Sequence, residues 1–245
     1  MLKFDLMIKQ TIACLLAITT PVVFATEAVN FSGVEITSDR FSTNLITSLS
    51  RLEGNVTLSH QGIKIEAGYA EAHPETTEAK AKFILGQNIQ MTQAIEGYSI
   101  RATAAEATYL PNDNEFSMRG NVQFKYQQTG QNFNIRAEDL QVNQQNNQLA
   151  SLLAKGKPGI LTHVLDDRRI IITAASINWQ ASTEIAIMLN ASLDDGSTTF
   201  SASEIEYNTR TGAVSAKGQG DERPRYRLNT IDEEQNTKAE KSDDT

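Results

Sequence analysis

The sequence predicts an all-β protein of stacked antiparallel strands, and three observations support this fold class. First, an apolar residue followed two positions later by alanine recurs every 28 to 37 residues, a period typical of repeated supersecondary units. Second, apolar and polar residues alternate around each copy. Third, segments rich in the turn-favouring residues Asn, Asp, Pro, Thr and Gly separate the alternating segments. The five copies are Ile65/Ala67, Ile100/Ala102, Ile135/Ala137, Ile172/Ala174 and Phe200/Ala202.

The alternation predicts which face of each strand is buried. From Asn132 to Glu138 apolar and polar residues alternate, and residues 64–67 and 99–103 follow the same pattern. A period of two with a polar outer face is typical of antiparallel strands that are packed on one side. Ile171 is an exception because it would point outward, which indicates either deeper burial or a contact surface.

The turns divide each repeat into further strands. We expect turns at residues 73–75, 111–114, 143–147 and 208–212. A second strand follows each turn and is expected to end at a small or turn-forming residue, beyond which another apolar segment leads to the next copy. These expected strand ends are Gly86, Gly120, Gly156, Asn190 and Gly218. Residues 39–50 have some helical spacing, but their Ser and Thr content favours strand and irregular structure.

Three segments are expected along the chain. Residues 1–25 are predicted to be a cleaved signal peptide that directs export to the periplasm, because basic residues precede a short apolar run that ends in Val23-Phe24-Ala25. Cys14 lies in this run and is interpreted as part of the signal. Residues 26–220 are the predicted β domain, which has no cysteine and depends on its apolar core. Residues 221–245 are predicted to be an acidic, disordered tail.

The sequence contains no pattern that supports catalysis, a cofactor or a metal site. The three histidines, His60, His73 and His163, have no second His or Cys at ligand spacing. Phosphate-binding loops and nucleophile motifs do not occur. Asp195-Gly196 predicts a hairpin turn rather than an acidic catalytic pair. The net charge of −8 also disfavours nucleic acid as a partner. We therefore expect a protein that is not an enzyme.

Three segments together resemble a known family. The segment from Arg51 to Ala67, the second Gly-Asn-Val at residues 120–122 and the segment Phe133–Glu138 are similar to the OstA domain of lipopolysaccharide transport proteins. The similarity covers about residues 31–220 and is strongest to the periplasmic bridge component of that machinery. It implies a single open, twisted β-jelly roll of stacked antiparallel strands, whose U-shaped cross-section encloses an apolar groove for the acyl chains of lipopolysaccharide.

The resemblance makes the inward apolar face the wall of this lipid-binding groove. The small alanine in each repeat either leaves room for lipid or allows opposed sheets to pack closely. The predicted wall comprises Val56, Leu58, Ile63, Ile65, Ala67, Ile100, Ala102, Val122, Phe124, Ile135, Ala137, Ile172, Ala174, Phe200 and Ala202.

The expected partners follow from the same resemblance. They are lipopolysaccharide, the inner-membrane and outer-membrane transport complexes, and a second copy of the chain in a head-to-tail homo-oligomer. Free sheet edges recruit strands, and the candidate edges are Phe31–Thr37 and Thr199–Lys217. Two alternatives remain open: an inner-membrane-anchored component of the same machinery that retains residues 1–25, and a structural β-solenoid with a filled interior and no lipid cargo.

Overall fold

The computed structural model describes residues 29–31, 33–44, 46–77, 79–220 and 222–228. These residues form a single sheet of 15 strands, which confirms the predicted all-β fold. Within them no helix has the length and apolar character that a membrane crossing requires. The strands are β1 Val29–Phe31, β2 Val34–Thr37, β3 Arg40–Thr43, β4 Ser50–His60, β5 Ile63–His73, β6 Lys82–Ile95, β7 Tyr98–Leu110, β8 Glu115–Gln128, β9 Gln131–Gln145, β10 Gln148–Leu165, β11 Arg168–Gln180, β12 Ile185–Asp194, β13 Thr198–Asn208, β14 Val214–Lys217 and β15 Arg225–Leu228.

The strands form an antiparallel meander from β4 to β13, so strands adjacent in sequence are adjacent in space. At one end β2 and β3 both pair with β4, and β1 pairs with β2. At the other end β14 and β15 both pair with β13. Two-residue hairpins such as Asn146–Asn147 have positive φ at both positions, as tight antiparallel turns require. The two ends of the sheet do not pair, so the sheet is open.

The long strands bend near their middle, where the pairing register shifts. Between β8 and β9 the register shifts from Arg119 to Val122, and Gly120 and Asn121 have φ of 80° and 50°. Such bulges bend a strand without ending it. The strand ends predicted at Gly86, Gly120, Gly156 and Asn190 are therefore wrong, because β6, β8, β10 and β12 run through these residues. Only Gly218 directly follows a strand, β14.

The bends divide the sheet into two half-sheets that face each other across one hydrophobic core. We call the edges formed by the hairpin turns the rims, and the gap between the two rims, opposite the bends, the mouth. Half-sheet A comprises β1, β2, β15 and residues 56–67, 89–104, 122–137, 160–174 and 191–202. Half-sheet B comprises β3, β14 and residues 50–53, 69–86, 106–119, 139–155, 176–189 and 204–213.

The paired structure continues past residue 220, where the β domain was expected to end. β15 pairs with Thr198–Ser201 of β13, and Tyr226 packs edge-on against Phe200 with ring centroids 4.8 Å apart. This strand is difficult to recognise in the sequence, because it has only four residues, two of them arginines, and all four are exposed. The predicted signal peptide, residues 1–25, and residues 229–245 of the predicted tail lie outside the described residues.

Candidate lipid-binding interior

Every residue predicted to form the groove wall lies on the inner face of half-sheet A. All of them are buried except Ala137, Phe200 and Ala202, which are partly buried and pack against the same core. Their neighbours in sequence, such as Arg101 and Lys125, are exposed on the outer face. The period-two alternation therefore identified the inward residues of this half-sheet, although burial alone does not make them ligand contacts.

The recurring alanines lie beside the bends, where the two half-sheets join. Ala102 is next to the register shift that begins after Thr103, and Ala104 and Ala107 of the same strand are also buried. The space between the inner faces is narrowest at a bend, because both half-sheets start there. Where strands enter a bend, an alanine is paired with a larger inward residue, as in Val56/Ala67, Ile89/Ala104 and Val122/Ala137, so the small side chain makes room for the larger one. The location of the alanines thus favours close packing as the reason for their size.

Large aromatic side chains occupy the wider part of the interior, towards the mouth. Tyr109 stacks on Phe116 with ring centroids 4.3 Å apart in half-sheet B. Phe133 of half-sheet A packs against Trp179 of half-sheet B at 5.3 Å, and Tyr126 contacts the same indole at 5.5 Å. These buried rings fill the part of the interior next to the mouth with protein atoms.

Side-chain hydrogen bonds connect the two rims across the mouth. In the middle of the molecule the Gln144 amide donates to the Gln93 side-chain carbonyl at 2.7 Å, and the Gln93 amide donates to the Asn147 backbone carbonyl at 3.0 Å. Nearby, the Leu149 backbone N–H donates to the Tyr98 hydroxyl at 2.7 Å. Since the partners belong to opposite half-sheets, these bonds hold the mouth closed.

A second group of hydrogen bonds surrounds Thr209, a fully buried residue on the rim of half-sheet B. Its hydroxyl accepts from Trp179 Nε1 at 3.1 Å and from the Gln131 side-chain amide at 3.2 Å, and it donates to the Glu184 backbone carbonyl at 3.0 Å. Gln131 belongs to half-sheet A, so this group also spans the mouth. The Trp179 side chain thereby has a polar partner in an otherwise apolar layer.

Two histidine–tyrosine pairs complete the closure. His60 hydrogen-bonds the Tyr109 hydroxyl, and His163 Nδ1 lies 2.6 Å from the Tyr207 hydroxyl. His163 is only 1% exposed, and its Nε2 has no hydrogen-bond partner among the described residues. Burial lowers the pKa of both histidines, because an imidazolium loses its hydration there, and burial raises the pKa of Tyr207 to about 12. Both pairs are therefore neutral at pH 7.

The closed mouth and the filled interior have a direct consequence for ligand entry. Most inward side chains of both half-sheets, including Trp179 and Tyr207, have almost no solvent exposure. Through the mouth, a chain of methylene groups reaches them when the rims separate and the aromatic side chains move. The chemistry of the interior suits an apolar ligand, and access to it depends on the mouth.

Half-sheet B supplies the part of this interior that the predicted groove omits. Its largest buried side chains are Phe83, Tyr109, Phe116, Trp179 and Tyr207. The spacing that identifies the wall in half-sheet A continues through the bends, as in the pairs Ile177/Trp179 and Ile205/Tyr207. This signal was available in the sequence, but the opposition of the two half-sheets was not, because the bends were interpreted as strand ends.

Metal-ligating and titratable side chains were the other candidates for a site. Among the described residues, no group of three or more His, Cys, Asp or Glu side chains could hold a metal ion. The buried titratable groups include His163 and the tyrosines of the mouth. Tyr98, Tyr109 and Tyr207 hydrogen-bond partners on the opposite rim, whereas the Tyr126 hydroxyl donates to Gln128 on its own strand.

Comparison with known proteins identifies the family. No curated protein matches the sequence. The structure of LptH of Pseudomonas aeruginosa, the LptA-homologous periplasmic component of the lipopolysaccharide transport device, is similar to 54% of this chain and 94% of that one, at 18% identity and a TM-score of 0.46. A family model described as "LptA/(LptD N-terminal domain) LPS transport protein" matches residues 35–134 and 129–213. These two matches cover most of the chain, which therefore belongs to the LptA/LptD N-terminal domain family of lipopolysaccharide transport proteins.

Proposed function

We propose that this protein is a periplasmic carrier of lipopolysaccharide of the LptA type, exported by removal of residues 1–25. The interior between the half-sheets receives the acyl chains, while the polar head group stays outside the mouth. The observation that carries the proposal is the continuity of the apolar interior, which extends from β2 to β13 without an interrupting polar layer, in a sheet that is open at both ends. Family membership supports the same activity.

The size of the hydrophobic effect supports acyl chains as the bound part of the ligand. Transfer of about a dozen methylene groups from water, at ~0.8 kcal/mol each, contributes roughly 10 kcal/mol before ordering costs. Opening the mouth breaks a few neutral hydrogen bonds, each with a net contribution of about 1 kcal/mol. Apolar transfer thus exceeds the cost of separating the rims when the displaced aromatic side chains pack against the ligand.

The sheet ends support the proposed bridging role. β1 and β3 form one free edge, and β14 and β15 form the other. If a second copy continues the stack, β14 meets β3 antiparallel and β15 meets β1 parallel, as the pairings of β1 to β4 and of β13 to β15 dictate. Such a contact joins different surfaces and generates a filament or a bridge to partner complexes rather than a closed dimer.

Mass spectrometry of lipid extracted from the purified protein tests the proposed cargo. We expect lipopolysaccharide to be recovered from protein isolated from its native periplasm. Protein that carries no lipid after isolation, and takes up none when incubated with lipopolysaccharide, would support the structural β-solenoid instead. Amino-terminal sequencing of the same sample separates the exported carrier from an anchored component, because the anchored form retains Met1.

A linker across the mouth tests whether the rims must separate. In the double variant Gln93→Cys/Gln144→Cys a short bis-maleimide would join the two half-sheets, and we expect lipopolysaccharide uptake to be abolished. The control variant Ala94→Cys/Ser99→Cys places the same linker between paired positions of one half-sheet, where it leaves the mouth free. Equal uptake by both linked proteins would contradict entry through the mouth.

A further inference from the structure

The outer face of half-sheet A carries a cluster of basic side chains that are far apart in the sequence. Arg101, Lys125, Arg136 and Arg169 come from β7, β8, β9 and β11, and each is exposed. Arg101 pairs directly with Lys125, and Arg136 is opposite Gln123 on the neighbouring strand. These side chains border a shallow concavity of about 470 Å³, which Thr103, Asn134 and Thr162 also line. We call this surface the basic face.

The basic face contains no acidic residue. On strands β7 to β11 of half-sheet A, the other outward positions are polar or apolar. Carboxylates lie at the border: Glu138 at the bend of β9, two residues from Arg136, the turn Asp166–Asp167, and Asp194 of β12. The outward positions are Ser99, Arg101, Thr103, Gln123, Lys125, Gln127, Asn132, Asn134, Arg136, Ile160, Thr162, Val164, Arg169, Ile171 and Thr173. In a chain with a net charge of −8, this separation of charge is pronounced.

The four cations of the basic face also lack partners, unlike many basic side chains elsewhere. None of them forms an ion pair with another described residue. On half-sheet B, by contrast, Arg119 is 2.9 Å from Asp139, and Lys217 lies between Glu204 and Glu206. Unpaired like charges on adjacent strands repel one another and destabilise the sheet. An anionic partner relieves this repulsion.

We propose that the acidic segment 229–245 of the same chain binds the basic face. The segment contains six carboxylates and two lysines, so its charge is opposite to that of the face. Its acidic residues are Asp232, Glu233, Glu234, Glu240, Asp243 and Asp244. It follows directly after Leu228, the last residue of β15, which belongs to half-sheet A and pairs with Thr198.

The length of the segment matches this placement. Adjacent strands are about 4.8 Å apart, so Arg169 on β11 lies about 14 Å from β15, and Lys125 on β8 lies about 29 Å away. An extended chain advances about 3.4 Å per residue, which brings Asp232–Glu234 about 14 to 20 Å from Leu228 and Glu240 about 40 Å away. The first acidic group therefore reaches Arg169, and the second reaches Lys125 and Arg101.

Binding of this segment prevents other anions from binding to the basic face. Phosphate groups of lipopolysaccharide or of anionic membranes would otherwise be attracted to a surface on the outside of the carrier, away from the mouth. The acidic segment competes with them as a tethered ligand, at a high effective concentration. It thereby limits electrostatic adhesion outside the interior.

Zero-length carbodiimide crosslinking of the purified chain tests the proposal, because this reagent couples a lysine amine only to a carboxylate in contact. Lys125 is the one lysine of the basic face, and Lys155, which is also exposed but lies on half-sheet B, is the control. We expect peptides that join Lys125 to the carboxylates of residues 232–244, and none that join Lys155 to them. The crosslinks should disappear in 1 M NaCl, where the Debye length is about 3 Å.

Three results would overturn the proposal. Absence of Lys125 crosslinks to the segment in low salt would do so directly. In a mixture of ¹⁴N- and ¹⁵N-labelled protein, crosslinks between differently labelled chains would assign the segment to a second copy. Binding of the full chain to phosphatidylglycerol vesicles, abolished in R101Q/K125Q/R136Q/R169Q and accompanied by no Lys125 crosslink, would assign the face to anionic lipid. All four substitutions are on the exposed surface and leave the core intact.

Discussion

The recurring alanines and the large aromatic residues occupy different parts of the interior. Ala102 and Ala174 are buried beside bends, whereas Phe133 and Trp179 are buried next to the mouth. Each residue of the wall contributes to stability in the empty protein, and the same residues would contact an apolar ligand.

Truncation of a single aromatic side chain should reveal this packing. Phe133→Ala removes a fully buried ring that contacts Tyr126 and Trp179, and we expect a loss of about 3–5 kcal/mol in the free energy of unfolding. Asn134→Ala, the adjacent outward position, should change it by less than about 0.5 kcal/mol. Urea unfolding monitored by tryptophan fluorescence measures both. Similar losses in the two variants would contradict the assignment of faces.

The buried histidine of the mouth predicts a dependence of stability on pH. Burial lowers the pKa of His163 in the folded state below the value of about 6.5 expected in the unfolded chain. At a pH between the folded-state pKa and about 6.5, the unfolded chain binds more protons than the folded chain. The contribution of neutral His163 to the free energy of unfolding is therefore fully present above about pH 6.5 and is lost as the pH falls through the folded-state pKa. His163→Gln should reduce the fall in Tm between pH 7.5 and 5. An unchanged pH profile would show that His163 is not the responsible group.

At the scale of the strands, sequence analysis interpreted the bends wrongly as strand ends. Gly86, Gly120 and Gly156 lie between two alternating segments, and a small residue in that position is equally compatible with a turn and with a bulge. Residues 133–137 contain enough alternation to identify an inward face. They contain no information about which distant strand segment lies opposite, because that depends on the combined twist and bend of the whole sheet. The inward face of half-sheet A was therefore predictable, and the rim contacts were not.

Two glycines with similar positive φ test whether the bend is more tightly packed than a hairpin turn. Gly120 lies at a bend with φ +80°, where an added Cβ would come within 2.9 Å of Ala105 Cβ; Gly130 lies in a hairpin turn with φ +78° and has no atom within 4 Å of that position. Substitution by alanine should cost about 1–2 kcal/mol at Gly130 through backbone strain alone. Gly120→Ala should cost more, because the strands must also shift. Equal thermal stabilities of the two variants would contradict a tightly packed bend.

At the scale of the whole molecule, the stack has two different ends. The edge formed by β1 and β3 differs from the edge formed by β14 and β15, so the proposed contact between copies would join opposite ends. In such a stack the apolar interior would lengthen with each added copy, as the proposed bridging role requires.

Mixing two single-cysteine variants tests this directionality. Thr43→Cys labels β3 and Val214→Cys labels β14, both at exposed positions. We expect a bis-maleimide to give crosslinked dimers when the two variants are mixed and few when either is treated alone. Dimers that form equally well from Val214→Cys alone would indicate a symmetric contact and would contradict head-to-tail addition.

Site-specific photocrosslinking to lipopolysaccharide tests the central claim most directly. A photoreactive residue is introduced at the inward positions Ile65, Phe124 and Ile135 and, as controls, at the outward positions Lys64, Gln123 and Arg136 on the same strands. The account predicts labelling by lipopolysaccharide at the inward positions and little at the outward ones. Equal labelling of both sets, or labelling of the outward set alone, would contradict the proposal that acyl chains occupy the interior between the half-sheets.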